Sequence, residues 1–89
     1  MESKLQSKIK NYLKSQGWRV IKTIQLSENG HPDLLCFKKG VTIVIEVKDK
    51  GKKPRPLQEF RINEWLQDGF KAFYADSYEM FLDKYGKEI

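Results

Sequence analysis

The chain has 89 residues, 39% of them hydrophobic and 12% aromatic, enough for one small core but not for two. Seventeen lysines and arginines face twelve acids, a formal charge of +5, which suits a polyanionic partner such as nucleic acid and equally a soluble protein with many surface lysines. No apolar run approaches the roughly 18 residues that cross a bilayer, residues 1–10 hold no signal-like stretch, and the single Cys36 excludes an internal disulfide or a Cys-rich zinc module. The expectation is therefore a cytoplasmic protein of one domain, spanning 1–89, with no membrane partner.

The spacing predicts a helix over 2–16, with Leu5, Ile9, Tyr12 and Leu13 on one stripe and Gly17 as its stop. Residues 18–24 are β-branched and aromatic and read as a strand. SENGHP is rich in turn formers and reads as a loop. Residues 33–38 and 41–48 read as two further strands, joined at Lys39-Gly40 by a tight turn. Residues 48–55 form a basic loop containing Gly and Pro. Pro56 suits the first position of a second helix running to about 68. Leu57, Phe60, Trp65 and Leu66 are expected on its buried side, with Gly69 at its end. Residues 70–75 predict a short strand. Asp76 and Glu79 resemble a capping box for a last helix bearing Met80, Phe81, Leu82 and Tyr85. Cys36, Trp18 and Trp65 read as core filling.

The order is α-β-β-β-α-β-α. Ile43 and Ile45 are expected to face one way, and Leu35, Phe37 and Val44 the other, so helices are needed on both faces. A right-handed crossover makes strands 41–48 and 70–75 parallel. The fold class expected is α/β, a small mixed β-sheet flanked by helices.

The hairpin carries the chemistry. With a two-residue turn at Lys39-Gly40, paired residue numbers sum to 79, and 33 + 46 = 79. Asp33 and Glu46 would then stand opposite each other, about 5 Å apart at Cβ, on one face with Lys48. Two acids so placed repel and are poorly hydrated. A divalent cation would offset this, polarise a phosphoryl oxygen and activate a bound water, with Lys48 beside it. A turn-capping role for Asp33, and a salt bridge from Glu46 to Lys48 or Lys22, are the plainer alternatives. Lys50, Lys52, Lys53 and Arg55 in the basic loop would track phosphate backbones, or else form a solvated turn.

Pro32-Asp33 followed by Glu46-Val47-Lys48 resembles the signature of the PD-(D/E)XK nuclease superfamily. It is most similar to the virus-type replication-repair nuclease (VRR-NUC) branch, with a Gly-X-Pro-Asp turn at Gly30-His31-Pro32-Asp33, a basic loop containing Gly51, and Gln58 opening the next helix. The likeness covers essentially the whole chain. It implies a restriction-endonuclease-like core and a Mg²⁺- or Mn²⁺-dependent DNA endonuclease. By the same likeness, Asp33, Glu46 and the Val47 carbonyl would bind metal, with Glu2 contributing directly or through water. Lys48 would be the catalytic lysine, and Gln58 would complete the set of Asp33, Glu46 and Lys48. His31 is a further candidate for a phosphate contact, although a loop residue before proline needs no such role. The implied substrate is branched DNA of the Holliday-junction kind, in viral or repair processes. A flap- or nick-directed nuclease, a non-catalytic nucleic-acid-binding module and a small basic scaffold protein are the alternatives. A homodimer is expected from the short chain, from the apolar groups Phe70, Phe73, Tyr74, Tyr78, Met80, Phe81 and Tyr85, and from the symmetry of a four-way junction.

Overall fold

The structure, a computed structural model, describes residues 3–88; Glu2, named above as a candidate ligand, lies outside them. Its elements are α1 (Lys4–Ser15), β1 (Arg19–Lys22), β2 (Leu34–Lys38), β3 (Val41–Val47), α2 (Pro56–Gln67), β4 (Lys71–Ala75) and α3 (Tyr78–Glu88). This is the expected α-β-β-β-α-β-α order, with element ends one or two residues shorter. The four strands lie in the order β1-β2-β3-β4. β1, β2 and β3 run antiparallel in sequence, and β4 joins β3 in parallel through the α2 crossover. Among the described residues, no helix is long and apolar enough to cross a membrane.

Local chemistry sets the ends of these elements. Ser3 caps α1, its hydroxyl accepting from the Gln6 N–H at 3.0 Å. Lys39 and Gly40 both adopt positive φ, 46° and 81°, the pairing that a two-residue hairpin turn of right-handed twist requires. Lys38 accordingly pairs with Val41. The cap of α3 corrects the sequence expectation. Ser77 accepts from the Met80 N–H at 3.1 Å, and Asp76 instead accepts from the Gly51 N–H at 3.0 Å.

The sheet is covered on two sides, unequally. α1 and α3 bury one face, where Ile9, Leu13, Leu34, Cys36, Ile43, Ile45, Phe73, Ala75 and Phe81 form the main core. The aromatic groups of α3 complete that core. Phe81 is fully buried and stacks with Tyr78 and Tyr85. Tyr12 meets all three edge-on, and the Trp18 indole donates to the Tyr85 hydroxyl at 3.0 Å. The expectation that a short terminal helix would leave these rings exposed is thus overturned: of the groups named, only Phe70 is well exposed, at 40%.

On the opposite face α2 covers only the β3–β4 half, through Ile62, Trp65, Val44, Ala72, Leu35 and Tyr74. The expected buried stripe of α2 is corrected as well. Leu57, Phe60 and Leu66 are exposed, and Ile62 is the residue that enters the sheet. The cause is that the apolar residues of α2 are spread around the helix and not along one stripe, so that only the side bearing Ile62 and Trp65 meets the sheet. Phe37 and Ile21, on the uncovered β1–β2 half, are likewise exposed. Phe81→Ala is expected to cost about 3–5 kcal/mol and Phe60→Ser less than about 0.5 kcal/mol, which urea unfolding midpoints of the two variants would measure.

Candidate active site

The observed register satisfies the sum of 79 from Lys38–Val41 to Leu34–Ile45, and the ladder stops there. The next hydrogen-bonded rung would set position 32 against Val47, because 32 + 47 = 79. Position 32 is a proline, which has no N–H to give the Val47 carbonyl, and its own carbonyl accepts from Thr23 Oγ1 at 2.7 Å instead of from Val47. Asp33 fills the gap: its Oδ2 accepts the Val47 N–H at 2.9 Å. A strand residue's N–H and C=O point to the same side, so the Val47 carbonyl is aimed toward the end of β2, beside that carboxylate. On the other side of β3, the Lys48 N–H bonds to the Ala75 carbonyl at 2.9 Å. The end of β3 is thereby fixed from both flanks.

Glu46 follows Val44 on the α2 face and is only 2% exposed. Its pKa is pushed up to about 9, first by burial, then by a hydrogen bond and charge repulsion from Asp33, with Lys48 and Arg55 pulling the other way. Without a cation beside it, the Glu46 carboxyl therefore favours its protonated form. Its Oε2 is buried without a hydrogen-bond partner among the described residues, a position that costs about 1–3 kcal/mol for a polar atom. Lys48 stands at the edge of the pair. Its Nζ donates to Gln58 Oε1 at 3.1 Å, and the same oxygen accepts the Arg55 N–H at 2.8 Å. Gln58 thus closes the first turn of α2 and orients Lys48 in one contact.

Asp33, Glu46 and Lys48 are brought together, as the register arithmetic expects, and Val47 and Gln58, which the family resemblance added, join them. Lys50, Lys52, Lys53 and Arg55 lie exposed on the loop beside them. His31 sits differently: its Nε2 lies 2.9 Å from Glu28 Oε1, and its Nδ1 accepts from the Trp65 indole at 3.2 Å, so its ring is engaged inside the fold. The loop around it borders a cleft of about 270 Å³, which is lined by Thr23, Gln25, Asn29 and Asp33 among others. The contacts of Glu28, Arg61 and Trp65 were not foreseen. Trp65 and His31 are 34 positions apart and no local spacing links them; the only signal was an indole on a helix otherwise expected to be simple core.

Among the described residues no three His, Cys, Asp or Glu side chains gather as a metal cluster. The two carboxylates and the Val47 carbonyl nevertheless make an all-oxygen set of the kind a hard divalent cation takes, and the buried, unpartnered Glu46 Oε2 is the atom such an ion would satisfy.

Comparison with known proteins agrees with this geometry. The family described as archaeal Holliday junction resolvase (Hjc) matches residues 3–72. No curated protein matches the chain. A solved structure described as a VRR_NUC domain is 30% identical, superposes with a TM-score of 0.83, and covers 97% of this chain and 94% of its own. A second, described as a VRR_NUC domain protein, is 16% identical with a TM-score of 0.68, covering 100% and 91%; at that identity the likeness is one of fold. With most of its length inside the matched region and the acid–acid–lysine constellation at the end of the hairpin, the chain belongs to the archaeal Holliday junction resolvase family and carries the VRR_NUC nuclease fold.

Proposed function

We propose that this protein is a divalent-metal-dependent DNA endonuclease acting on branched DNA, with residues 1–89 forming one nuclease domain. The observation that carries the reading is the burial of Glu46 against Asp33, with one Glu46 oxygen unpartnered and a lysine at the rim. A protein that only bound DNA would gain nothing from holding two carboxylates where phosphate must approach. Asp33, Glu46 and the Val47 carbonyl would hold Mg²⁺ or Mn²⁺, with Glu2 as a further oxygen donor. The ion's chemistry there is to polarise the phosphoryl group and lower the pKa of a bound water.

The chain's own groups do the rest. Lys48, steadied by Gln58, places its ammonium beside the reacting phosphate, where charge grows as the phosphodiester passes through its transition state. Asp33 keeps its carboxylate in place by accepting the Val47 N–H. Lys50, Lys52, Lys53 and Arg55 supply backbone contacts without reading bases. A four-way junction presents two strands to be cut, and a homodimer would set two such sites about a two-fold axis. The exposed apolar groups Ile21, Phe37 and Leu57 give a second copy something to cover. DNA as substrate fits work inside the cell.

Replacing Glu46 with Gln keeps the shape and removes a ligand charge. Cleavage of a labelled four-way junction in Mg²⁺ should fall by about 100-fold or more; retention of parental rates would rule out the metal-site reading. The same substitution has a signature in stability. The folded pKa of Glu46 lies above its unfolded value of 4.5, so the folded state binds more protons in between, and stability falls as pH rises from about 4.5 toward 9, by at most about 1.4 kcal/mol per unit. Glu46→Gln should flatten that slope and unfold at a higher temperature than the parent at pH 8 in the presence of chelator. Light scattering at micromolar concentration in 150 mM salt should give twice the chain mass of 10.5 kDa; the chain mass itself would leave paired cleavage without a basis and favour flaps or nicks.

A further inference from the structure

The segment between β1 and Asp33, residues 23–32, has neither helix nor strand, yet it is tied down at several points. Thr23 Oγ1 donates to the Pro32 carbonyl at 2.7 Å. The Trp65 indole N–H donates to His31 Nδ1 at 3.2 Å. An indole can only donate, so Nδ1 accepts and Nε2 carries the hydrogen toward Glu28, 2.9 Å away. Arg61 Nε donates to the Asn29 carbonyl at 2.9 Å, and its Nη1 lies 2.8 Å from Glu64 Oε1. Gly30, at φ 84°, packs against Leu57 so closely that a Cβ there would come within 2.7 Å of Leu57 Cγ. The partners from outside the loop, Trp65, Arg61 and Leu57, all project from α2.

Between His31 and Asp33 stands Pro32, fully buried and with its φ locked by its ring. A displacement of His31 is therefore passed on to Asp33 with few soft dihedrals to absorb it. Beyond Asp33 the chain of contacts ends at the Val47 N–H, the group whose carbonyl faces the carboxylates. We propose that Trp65 and Arg61 are positioning residues of the active site: through His31 and Asn29 they set where the Asp33 carboxylate stands relative to Glu46. α2 thus holds both halves of the site, Lys48 through Gln58 at its start and Asp33 through the loop on its outer side. The proposal uses the nuclease reading only for its catalytic consequence.

Trp65→Phe removes the N–H and keeps a ring against Phe70, whose centroid is 5.4 Å from that of Trp65. Arg61→Gln loosens the second tether and serves should the first variant fail to fold. Amide hydrogen exchange on the full chain is the direct readout. The Val47 amide should exchange about tenfold faster, the worth of roughly one hydrogen bond, while the Ile43 amide on the same strand stays as protected as in the parent. The kcat for junction cleavage should fall several-fold at unchanged KM. Parental protection at Val47, an equal rise at Val47 and Ile43, or selective loss at Val47 with unchanged kcat would each overturn the proposal. Absence of cleavage by the parent would overturn the nuclease reading instead, and the exchange comparison alone would then decide whether Trp65 and Arg61 position Asp33.

Discussion

A carboxyl group buried near the end of the inner strand β3, facing a second carboxyl, is the constraint around which the rest of this fold is arranged. Burial and repulsion raise the pKa of Glu46 far above its ordinary value, and one of its oxygens lacks a partner among the described residues. The hydrogen bond with Asp33 leaves that oxygen unsatisfied; the cost is carried by the main core on the other face, where a fully buried Phe81 packs among partly buried aromatic neighbours. The division of labour is physical. One face of the sheet stabilises, and the other, half covered by α2, is left thin enough to admit a charged substrate.

The end of the β2–β3 ladder shows how backbone chemistry makes room for such a pair. Where the next rung would fall, the Pro32 carbonyl is taken by the Thr23 hydroxyl, which leaves one N–H of β3 without a backbone acceptor, and a side-chain carboxylate takes it. Asp33 is held by the strand it would otherwise only flank. Lys48 is held in a similar economy, since the oxygen that closes the first turn of α2 also orients the lysine. Each of these groups answers an orphan backbone donor as well as serving the site, so the geometry of the carboxylates and lysine is set by groups the fold needs in any case.

Most of this was legible in the residues. The length of the hairpin and the alternation of strands sufficed to set Asp33 against Glu46, because a two-residue turn leaves only one register. The parallel β3–β4 pair followed from the helical crossover between them. What could not be read was which apolar residues of α2 enter the core. Leu57, Phe60, Ile62, Trp65 and Leu66 surround the helix, and only its packing against the sheet selects Ile62 and Trp65. The cap of α3 was misplaced by one residue for a comparable reason: Asp76 and Ser77 are both good caps, and a contact from Gly51, 25 positions away, engages the aspartate and leaves the serine. The tethering of residues 23–32 rests on contacts of long sequence separation that no periodicity encodes.

That contact between Gly51 and Asp76 bears on the basic loop as a whole. The turn is closed at its tip by a carboxylate anchored between β4 and α3, and at its far end by Pro54 and Pro56 leading into α2. Its lysines and arginine therefore project from a backbone whose conformational entropy was surrendered during folding. A polyanion that lands on it meets charges already spaced, and forfeits little further ordering entropy when the complex forms. Under the proposed nuclease reading, contacts of duplex arms with such a surface would be governed by ion release and by the rate of encounter, short and rapidly exchanging, and lasting residence would fall to whatever the carboxylates and lysine can grip.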